Sequence, residues 1–401
     1  MFSREVLDSR GNPTVEVAIN GCHAIVPSGA SAGKHEALEL RDGGTRFGGK
    51  GVLRAVGNAN ALIRRRVLGK SFSQEEFDAA LIKIDGTKNK RRLGANAMLG
   101  ASIAFSRAAA AQSGAPLRLF YASLFGSSGA RMPTPAANLV NGGAHAGNAL
   151  SIQEFMVLPV RAKTFEDATL AICETRLALR KLLFNKYGAQ ALNVGDEGGF
   201  APPCSQQEEP LDLLVAAAEE GGWANEIALG IDAAASQFYN EKKKSYALGG
   251  ETLSRSELAA YYARLAARYP LLYFEDPFEE EAFDDFAALT ARLKGKLVVG
   301  DDLCVTNPTR VALAVKRRAC NSVIIKANQI GTITETLAAC KIARAAGWKL
   351  VVSHRSGETE DAFIADFAVG IDAEFIKLGA PCRGERTAKY NQLLRIESHL
   401  K

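Results

Sequence analysis

Cysteine is sparse and scattered: the seven cysteines of the chain, at positions 22, 173, 204, 304, 320, 340 and 382, form no CxxC pair and no Cys/His run of ligand spacing. That pattern argues against a disulfide framework and a zinc site and suits a reducing compartment, so a cytoplasmic location is expected. A bilayer-spanning run is also missing. The most apolar stretch, 93–111, is alanine-rich but carries Asn96, Ser102 and Arg107, and reads as a buried or half-buried helix rather than a membrane span. No secretory signal is expected, because Arg4 and Glu5 lead at once into a turn-rich segment. Charge of one sign is lacking too: 49 basic against 44 acidic residues leave +5 over 401 residues. That is too dilute to make nucleic acid or an anionic membrane the main partner. The basic runs at 64–66, 88–92 and 242–244 have no interleaved aromatics and read as solvated faces. Residues 44–50 nearly match a phosphate-binding loop, but Gly51 stands where that motif needs Ser or Thr, and no buried strand precedes it.

What is present is material for a large core, with 47% hydrophobic and 23% charged residues, so disorder is not expected. The chain of 401 residues exceeds the roughly 250 of a β/α barrel by enough for a second unit. Alternation over 14–19, with 22–26 as its partner, predicts an opening hairpin, and helical periodicity follows at 52–67, 74–84 and 93–112. The glycine- and serine-containing stretch 113–135 reads as a loop where this α+β unit ends. Strand-like 136–140 and 155–158 precede a long helix at 165–187, strands and helices then alternate to about residue 380, and a last helix is predicted over 385–400. The expected domains are 1–125, an α+β cap, and 126–401, a barrel.

Six short apolar runs between residues 230 and 380 each lead into a side chain fit for chemistry: Asp232, Glu275, Asp301, Lys326, His354 and Lys377. After a longer first step these ends recur about every 25 residues, the length of a strand plus a helix. Parallel barrel strands are buried on both faces and read as continuous apolar runs, and barrel active sites gather at their C-terminal ends. The expected fold class is therefore α/β, with an active site at the barrel mouth.

Asp232, Glu275 and Asp301 would crowd three carboxylates there. At an effective dielectric of about 20, two like charges about 4 Å apart repel by about 4 kcal/mol. The set therefore needs a cation, and all-oxygen ligands suit Mg²⁺ better than zinc. Each acid alone reads equally well as a helix cap or an ion-pair partner; the three together, at strand rhythm, read as a metal site. The acidic run 279–281 with Asp284 and Asp285 follows no apolar strand and reads as a solvated helix start. Lys326 and Lys377 face the same mouth, where a nearby cation can leave a lysine usable as a base. Glu154 and Glu197 supply two further carboxyls. Glu197 lies among Gly195, Gly198 and Gly199, where backbone can approach a ligand, and a paired carboxyl can be held protonated as a general acid. His354, Arg355 and Ser356 share one loop, and a guanidinium beside a hydroxyl is a natural phosphate grip. His145 stands in the glycine-rich loop 141–148.

The ordered strings DSRGNPTVEV from Asp8, VPSGASAGKHEALELRDG from Val26, GANAMLG from Gly94, NGGAHAGN from Asn141 and QEFM from Gln153 open a longer series. It continues with VGDEGGFAPP from Val194, EDP from Glu275, GDDLCVTNP from Gly300, IKANQIG from Ile325, SHRSGETED from Ser353 and IKLGAP from Ile376. On these strings the chain resembles the enolases over essentially its whole length. The resemblance implies an enolase-type (β/α)8 barrel that dehydrates 2-phosphoglycerate reversibly to phosphoenolpyruvate. It implies one Mg²⁺ on Asp232, Glu275 and Asp301, and a second bound with substrate and Ser31. By the same resemblance Lys326 is the base and Glu197 the acid, with Glu154 its partner. His145, Gln153, His354, Arg355, Ser356, Lys377 and Ser31 would contact substrate, Arg355 and Ser356 at its phosphate. A homodimer is also implied, with Glu16 of one subunit opposite Arg395 of the other. Ala32, Ala144, Leu378 and Gly384 depart from the family pattern, though none is a ligand or a proton carrier. Two alternatives stay open: an enzyme of the same superfamily acting on another carboxylic acid, and a catalytically silent binding protein on this scaffold.

Overall fold

The computed structural model describes residues 1–29 and 33–401, so Ser31 and Ala32 lie outside the described residues. The chain opens with strands β1 (Phe2–Leu7), β2 (Pro13–Ile19) and β3 (Cys22–Ile25), which form an antiparallel three-stranded sheet. The expected hairpin is β2 and β3. β1 lies outside the predicted hairpin because Arg4 and Glu5 interrupt its apolar pattern; it is a sheet edge whose Ser3 hydroxyl donates to Glu16 O at 2.8 Å. Helices α1 (Leu53–Asn58) and α2 (Arg64–Val67) follow, joined by a π-turn at Ala59–Ile63, then α3 (Gln74–Asp85) and α4 (Ala95–Ser113). A capping box of Ser73 and Glu76 starts α3, and Gly86 at φ 65° ends it.

The stretch expected to be a loop holds a helix, α5 (Leu117–Phe125). Its punctuation misled: Pro116 is its N-cap and Gly126, at φ 86°, its left-handed C-cap. The barrel region follows with β4 (Thr134–Asn141), β5 (Glu154–Leu158), α6 (Phe165–Tyr187), α7 (Glu209–Glu220) and β6 (Ala228–Asp232). A small antiparallel sheet of β7 (Tyr239–Asn240), β8 (Ser245–Leu248) and β9 (Glu251–Leu253) explains the long first step between strand ends. Then come α8 (Arg255–Arg268), β10 (Leu271–Glu275), α9 (Phe283–Arg292), β11 (Leu297–Gly300), α10 (Pro308–Arg317) and β12 (Ser322–Ile325). The chain closes with α11 (Ile333–Ala345), β13 (Lys349–Ser353), α12 (Phe363–Gly370), β14 (Phe375–Lys377) and α13 (Gly384–Ser398).

The barrel closes in the order β10, β11, β12, β13, β14, β4, β5, β6. It is not wholly parallel. β5 runs antiparallel to both β4 and β6, because loop 142–153 returns the chain directly where a crossover helix would keep strands parallel. Ala136, Met156, Leu158, Tyr273, Val299, Ile324 and Val351 fill the interior as a layered core. α4 is buried through much of its length, and no helix of the described residues is long and apolar enough to cross a membrane. All seven cysteines are free. The basic runs at 64–66 and 242–244 are exposed as expected, but Lys90 is buried and pairs with Glu335 at 2.6 Å. The acidic run is likewise only partly solvated: Glu280 is buried and accepts from Lys34 N at 3.1 Å.

The N-terminal helices are fastened to the barrel by polar groups. Buried Asp78 of α3 accepts from Thr334 N at 2.9 Å and Thr334 Oγ1 at 2.6 Å, and Ser102 of α4 accepts from Ile333 N at 3.0 Å. Both therefore satisfy orphan donors at the start of α11. Arg107 grips Asp361 with two bonds of 2.7 Å, and Asp361 also accepts from Ile25 N and Phe363 N. Replacing Asp78 by Ala leaves the Thr334 donors unsatisfied, and should lower stability by about 1–3 kcal/mol. The urea unfolding midpoint should fall accordingly, while Asp78→Asn, which keeps an acceptor, should lose less.

Candidate active site

Lys377 is the hub of the barrel mouth. Its buried Nζ lies 3.0 Å from Asp232 Oδ2, 3.0 Å from Glu275 Oε1 and 2.9 Å from Glu154 Oε2. Burial opposes its charge, but Asp232, Glu154 and Glu275 outweigh burial and hold its pKa well above the ordinary lysine value. Lys326, just past β12, donates to Asp301, just past β11; burial again pulls downward and Asp301 raises the ammonium pKa. Gln329 donates to the other oxygen of Asp301 at 3.0 Å. Glu275 is fully buried with the Tyr273 hydroxyl at 2.6 Å, and burial together with Asp232 pushes its carboxyl up to about 8.

Two acids that the strand-end pattern does not single out complete this cluster. Asp276 accepts from Asp301 N at 2.8 Å and Asp302 N at 2.7 Å, so it fixes the loop that presents Asp301. Burial, with Asp302 beside it, raises Asp276, and burial with Asp301 lifts Asp302 to about 7. Their signal was present in the strings EDP and GDD, where the second acid follows the expected one. The mouth thus holds more carboxylates than its lysines neutralise, and burial with this crowding favours their protonated forms. Such an all-oxygen set fits a divalent cation. Potential ligand atoms lie within 4.8 Å of one another in the groups Asp276, Asp301, Asp302 and His145, Glu154, Glu197. Asp301 belongs to the first group, whereas Asp232 and Glu275 are joined through Lys377.

Glu154 and Glu197 form the second group. Because β5 runs backwards, its first residue Glu154 reaches the mouth beside Asp232, its register partner. Glu197 comes from the glycine-rich loop. At Gly199 a Cβ would stand 2.5 Å from Asn141 Oδ1, so only glycine lets this loop lie against β4. His145 Nδ1 is 3.6 Å from both Glu154 Oε1 and Glu197 Oε1, and Asn138 Nδ2 donates to Glu197 Oε2 at 3.0 Å. Burial and the neighbouring Glu197 raise Glu154 well above the carboxylate range. Burial works the same way on Glu197, but the charges around it, His145 and Lys377 among them, overcome burial and hold Glu197 well below that range. The two carboxyls are thus pushed apart, Glu154 toward the protonated form and Glu197 toward the anion.

His354, Arg355 and Ser356 follow β13 and are all buried. Arg355 binds Glu36 at 3.1 and 3.2 Å and Asn328 Oδ1 at 3.0 Å, two partners that the sequence did not single out. Gln153 also lines the mouth, accepting from Gln237 at 2.6 Å. One cleft is lined by His145, Glu154, Glu197, Asp232, Asp301, Lys326, Arg355 and Lys377, with Gln153, His354 and Ser356. All the predicted site residues except Ser31, which is not described, thus converge on one mouth, Glu275 from beneath through Lys377. Of the departures, Leu378 is buried, Ala144 is exposed, and nothing stands within 4 Å of a Cβ built on Gly384.

Comparison with known proteins agrees with this geometry. The family model described as "Enolase, N-terminal domain" matches residues 1–121, and "Enolase, C-terminal TIM barrel domain" matches 129–401. The chain is 51% identical to the enolase of Thermococcus gammatolerans, over 100% of this chain and 94% of that protein. It is 52% identical to the enolase of Methanococcoides burtonii, over 100% of this chain and 95% of the relative. Enolase 1 of Entamoeba histolytica is 50% identical, with the same coverage of 100% and 95%. With both family models matched in order and such identity sustained along its whole length, the chain belongs to the enolase family.

Proposed function

We propose that the protein is an enolase, a hydro-lyase that reversibly converts 2-phosphoglycerate to phosphoenolpyruvate and water in glycolysis and gluconeogenesis. The observation that carries this reading is the single cleft where Lys326, Lys377 and Arg355 face the carboxyls of Glu154 and Glu197, both beside His145, and a cluster of acids. In this reading residues 1–125 cap a catalytic barrel of 126–401, in the cytoplasm.

Arg355 and Ser356 hold the phosphate, while His145, Gln153, His354 and Lys377 contact the substrate as well. Asp232, Glu275 and Asp301 would hold one Mg²⁺, and Ser31 with the substrate a second, supplying positive charge where the substrate carboxylate gains negative charge. Lys326 removes the C2 proton, and the released electron pair moves into the carboxylate as a dianionic ene-diolate. Asp301 is the group that keeps Lys326 protonated, so engaging Asp301 elsewhere makes Lys326 a better base. The pair then collapses to form the C2–C3 double bond as the C3 hydroxyl departs with a proton from Glu197. That proton reaches Glu197 from Glu154, the carboxyl that burial favours in its protonated form, with His145 3.6 Å from each. The phosphate grip favours this reading over a superfamily enzyme for non-phosphorylated acids, and the intact base and acid favour it over a silent scaffold.

A homodimer is part of the proposal, with Glu16 of one subunit meeting Arg395 of the other. Within one chain Glu16 is already paired with Arg4 and with His23 at 3.1 Å, while Arg395 is exposed and donates to Gln392 at 3.2 Å. A partner's Arg395 would therefore add to a charged group that is satisfied at home, a modest gain. Sedimentation at micromolar concentration should give a dimer, weakened by Arg395→Ala; a monomer would remove this part.

Base and acid separate by exchange chemistry. Lys326→Ala should abolish both deuterium exchange at C2 and elimination, because no group remains to take the proton. Glu197→Gln should cut elimination by about 10²–10⁴-fold while exchange at C2 partly persists. Retained exchange in Lys326→Ala would exclude that lysine as the base. Equal loss of exchange in both variants would mean that the steps are concerted or the roles misassigned.

The metal site is tested by linkage. Glu275 at about 8 and Asp302 at about 7 bind protons in the fold that the unfolded chain has already released above the ordinary carboxylate range. The folded state thus binds more protons, so their contribution to stability falls as pH rises through that range to about 8. Mg²⁺ must displace those protons, so it should raise the melting temperature more near pH 8 than near pH 5. An equal rise at both would remove this carboxyl cluster as the metal site.

A further inference from the structure

Arg386, on α13, is among the largest fully buried side chains of the protein, and the chemistry above does not use it. A buried guanidinium normally faces a carboxylate. The nearest one here is Glu385, 3.7 Å from its Nε. Arg386 is instead spent on the site: Nη1 donates to Arg355 O at 2.6 Å, and Nη2 to Ser356 O at 2.7 Å and Asp196 O at 2.9 Å. These carbonyls belong to the loop of Arg355 and the loop of Glu197. Its remaining contact is a ring nitrogen, His354 Nδ1, 2.6 Å from Nη1.

That contact fixes more than position. A guanidinium has only donors, so the ring nitrogen it meets must be the acceptor and carry no proton. The His354 proton then sits on Nε2, which lies 3.6 Å from Glu197 Oε2 and has no hydrogen-bond partner of its own. A shift of under about 1 Å would make it a hydrogen bond. Gly379 closes the arrangement: at φ 74° it sits where a Cβ would lie 2.5 Å from Glu197 O, 3.0 Å from His354 Cε1 and 3.3 Å from Arg386 Cδ. Ring, carboxyl loop and guanidinium are therefore packed as one unit.

We propose that Arg386 is a positioning residue for the dehydration, holding His354 as the Nε2–H tautomer so that this N–H receives the Glu197 carboxylate once its proton has gone to the leaving hydroxyl. The inference rests on the enolase reading above. A donor aimed at Glu197 favours its anion and so favours proton release. Were the proton on Nδ1, it would meet the arginine, and the bare Nε2 would repel the carboxylate. Burial also keeps His354 well below its ordinary pKa, in keeping with a ring that stays neutral.

Nitrogen NMR of the full-length protein labelled in its five histidines, with His354 assigned by the signal lost in His354→Gln, tests the tautomer directly. A bare Nδ1 and a protonated Nε2, unchanged from about pH 6 to about pH 9, are expected. A proton on Nδ1, or titration to the cation in that range, overturns the proposal, and this measurement needs no Arg386 variant to fold. Arg386→Lys should then show mixed tautomers and, with 2-phosphoglycerate and Mg²⁺, a kcat lower by about tenfold or more with KM within about threefold. A raised KM with kcat kept would reduce Arg386 to a support for the phosphate loop and overturn its action through His354. Wild-type protein with the expected tautomer but no dehydration would overturn the enolase reading instead.

Discussion

Everything at the barrel mouth depends on one buried ammonium. Lys377 holds Asp232, Glu275 and Glu154 within 3.0 Å, and each of those carboxylates ends or begins a different strand. Removing one partner of such a buried set leaves uncompensated charge, which costs about 3–5 kcal/mol. The strands must therefore stop in register. β6 and β10 do so with Asp232 opposite Glu275, and the reversed β5 does so only because it starts where its neighbours end. A fully parallel barrel would have carried Glu154 to the far rim. The antiparallel strand is thus what puts a proton-holding carboxyl beside the metal-type acids.

The same electrostatics decided how much the sequence could reveal. Charged side chains closing apolar runs stand out, so Asp232, Glu275, Asp301, Lys326, His354 and Lys377 and the barrel around them were legible from spacing. Glu154 and Glu197 read only as isolated carboxyls whose roles come from the resemblance, since neither sits at the C-terminal end of a strand. Asp276 and Asp302 hid behind neighbours of the same charge, and Glu36 came from a distant segment whose approach to Arg355 no local pattern encodes. The helix α5 was lost because its capping proline and glycine are also loop residues. Lys90 and Glu280 looked solvated because burial of a charge is set by tertiary partners, here Glu335 and the backbone of Lys34.

The pieces that sequence patterns miss share one task, which is to fix loops rather than to build a core. Asp276 ties down the Asp301 loop, Glu36 and Asn328 orient Arg355, and Arg386 joins the Glu197 and Arg355 loops. Lys389, three residues on and on the same face of α13, is buried against Glu358 at 2.6 Å and also donates to Thr359 O. Glu358 in turn accepts from Arg355 N at 3.2 Å. An apolar face on α13 would have buried the helix more cheaply, yet it would have stranded the loop carbonyls without donors. The C-terminal helix is consequently polar where it touches the site and apolar, at Leu393 and Ile396, where it does not. Its sequence is therefore constrained by reaction geometry along one stretch and by packing along the next.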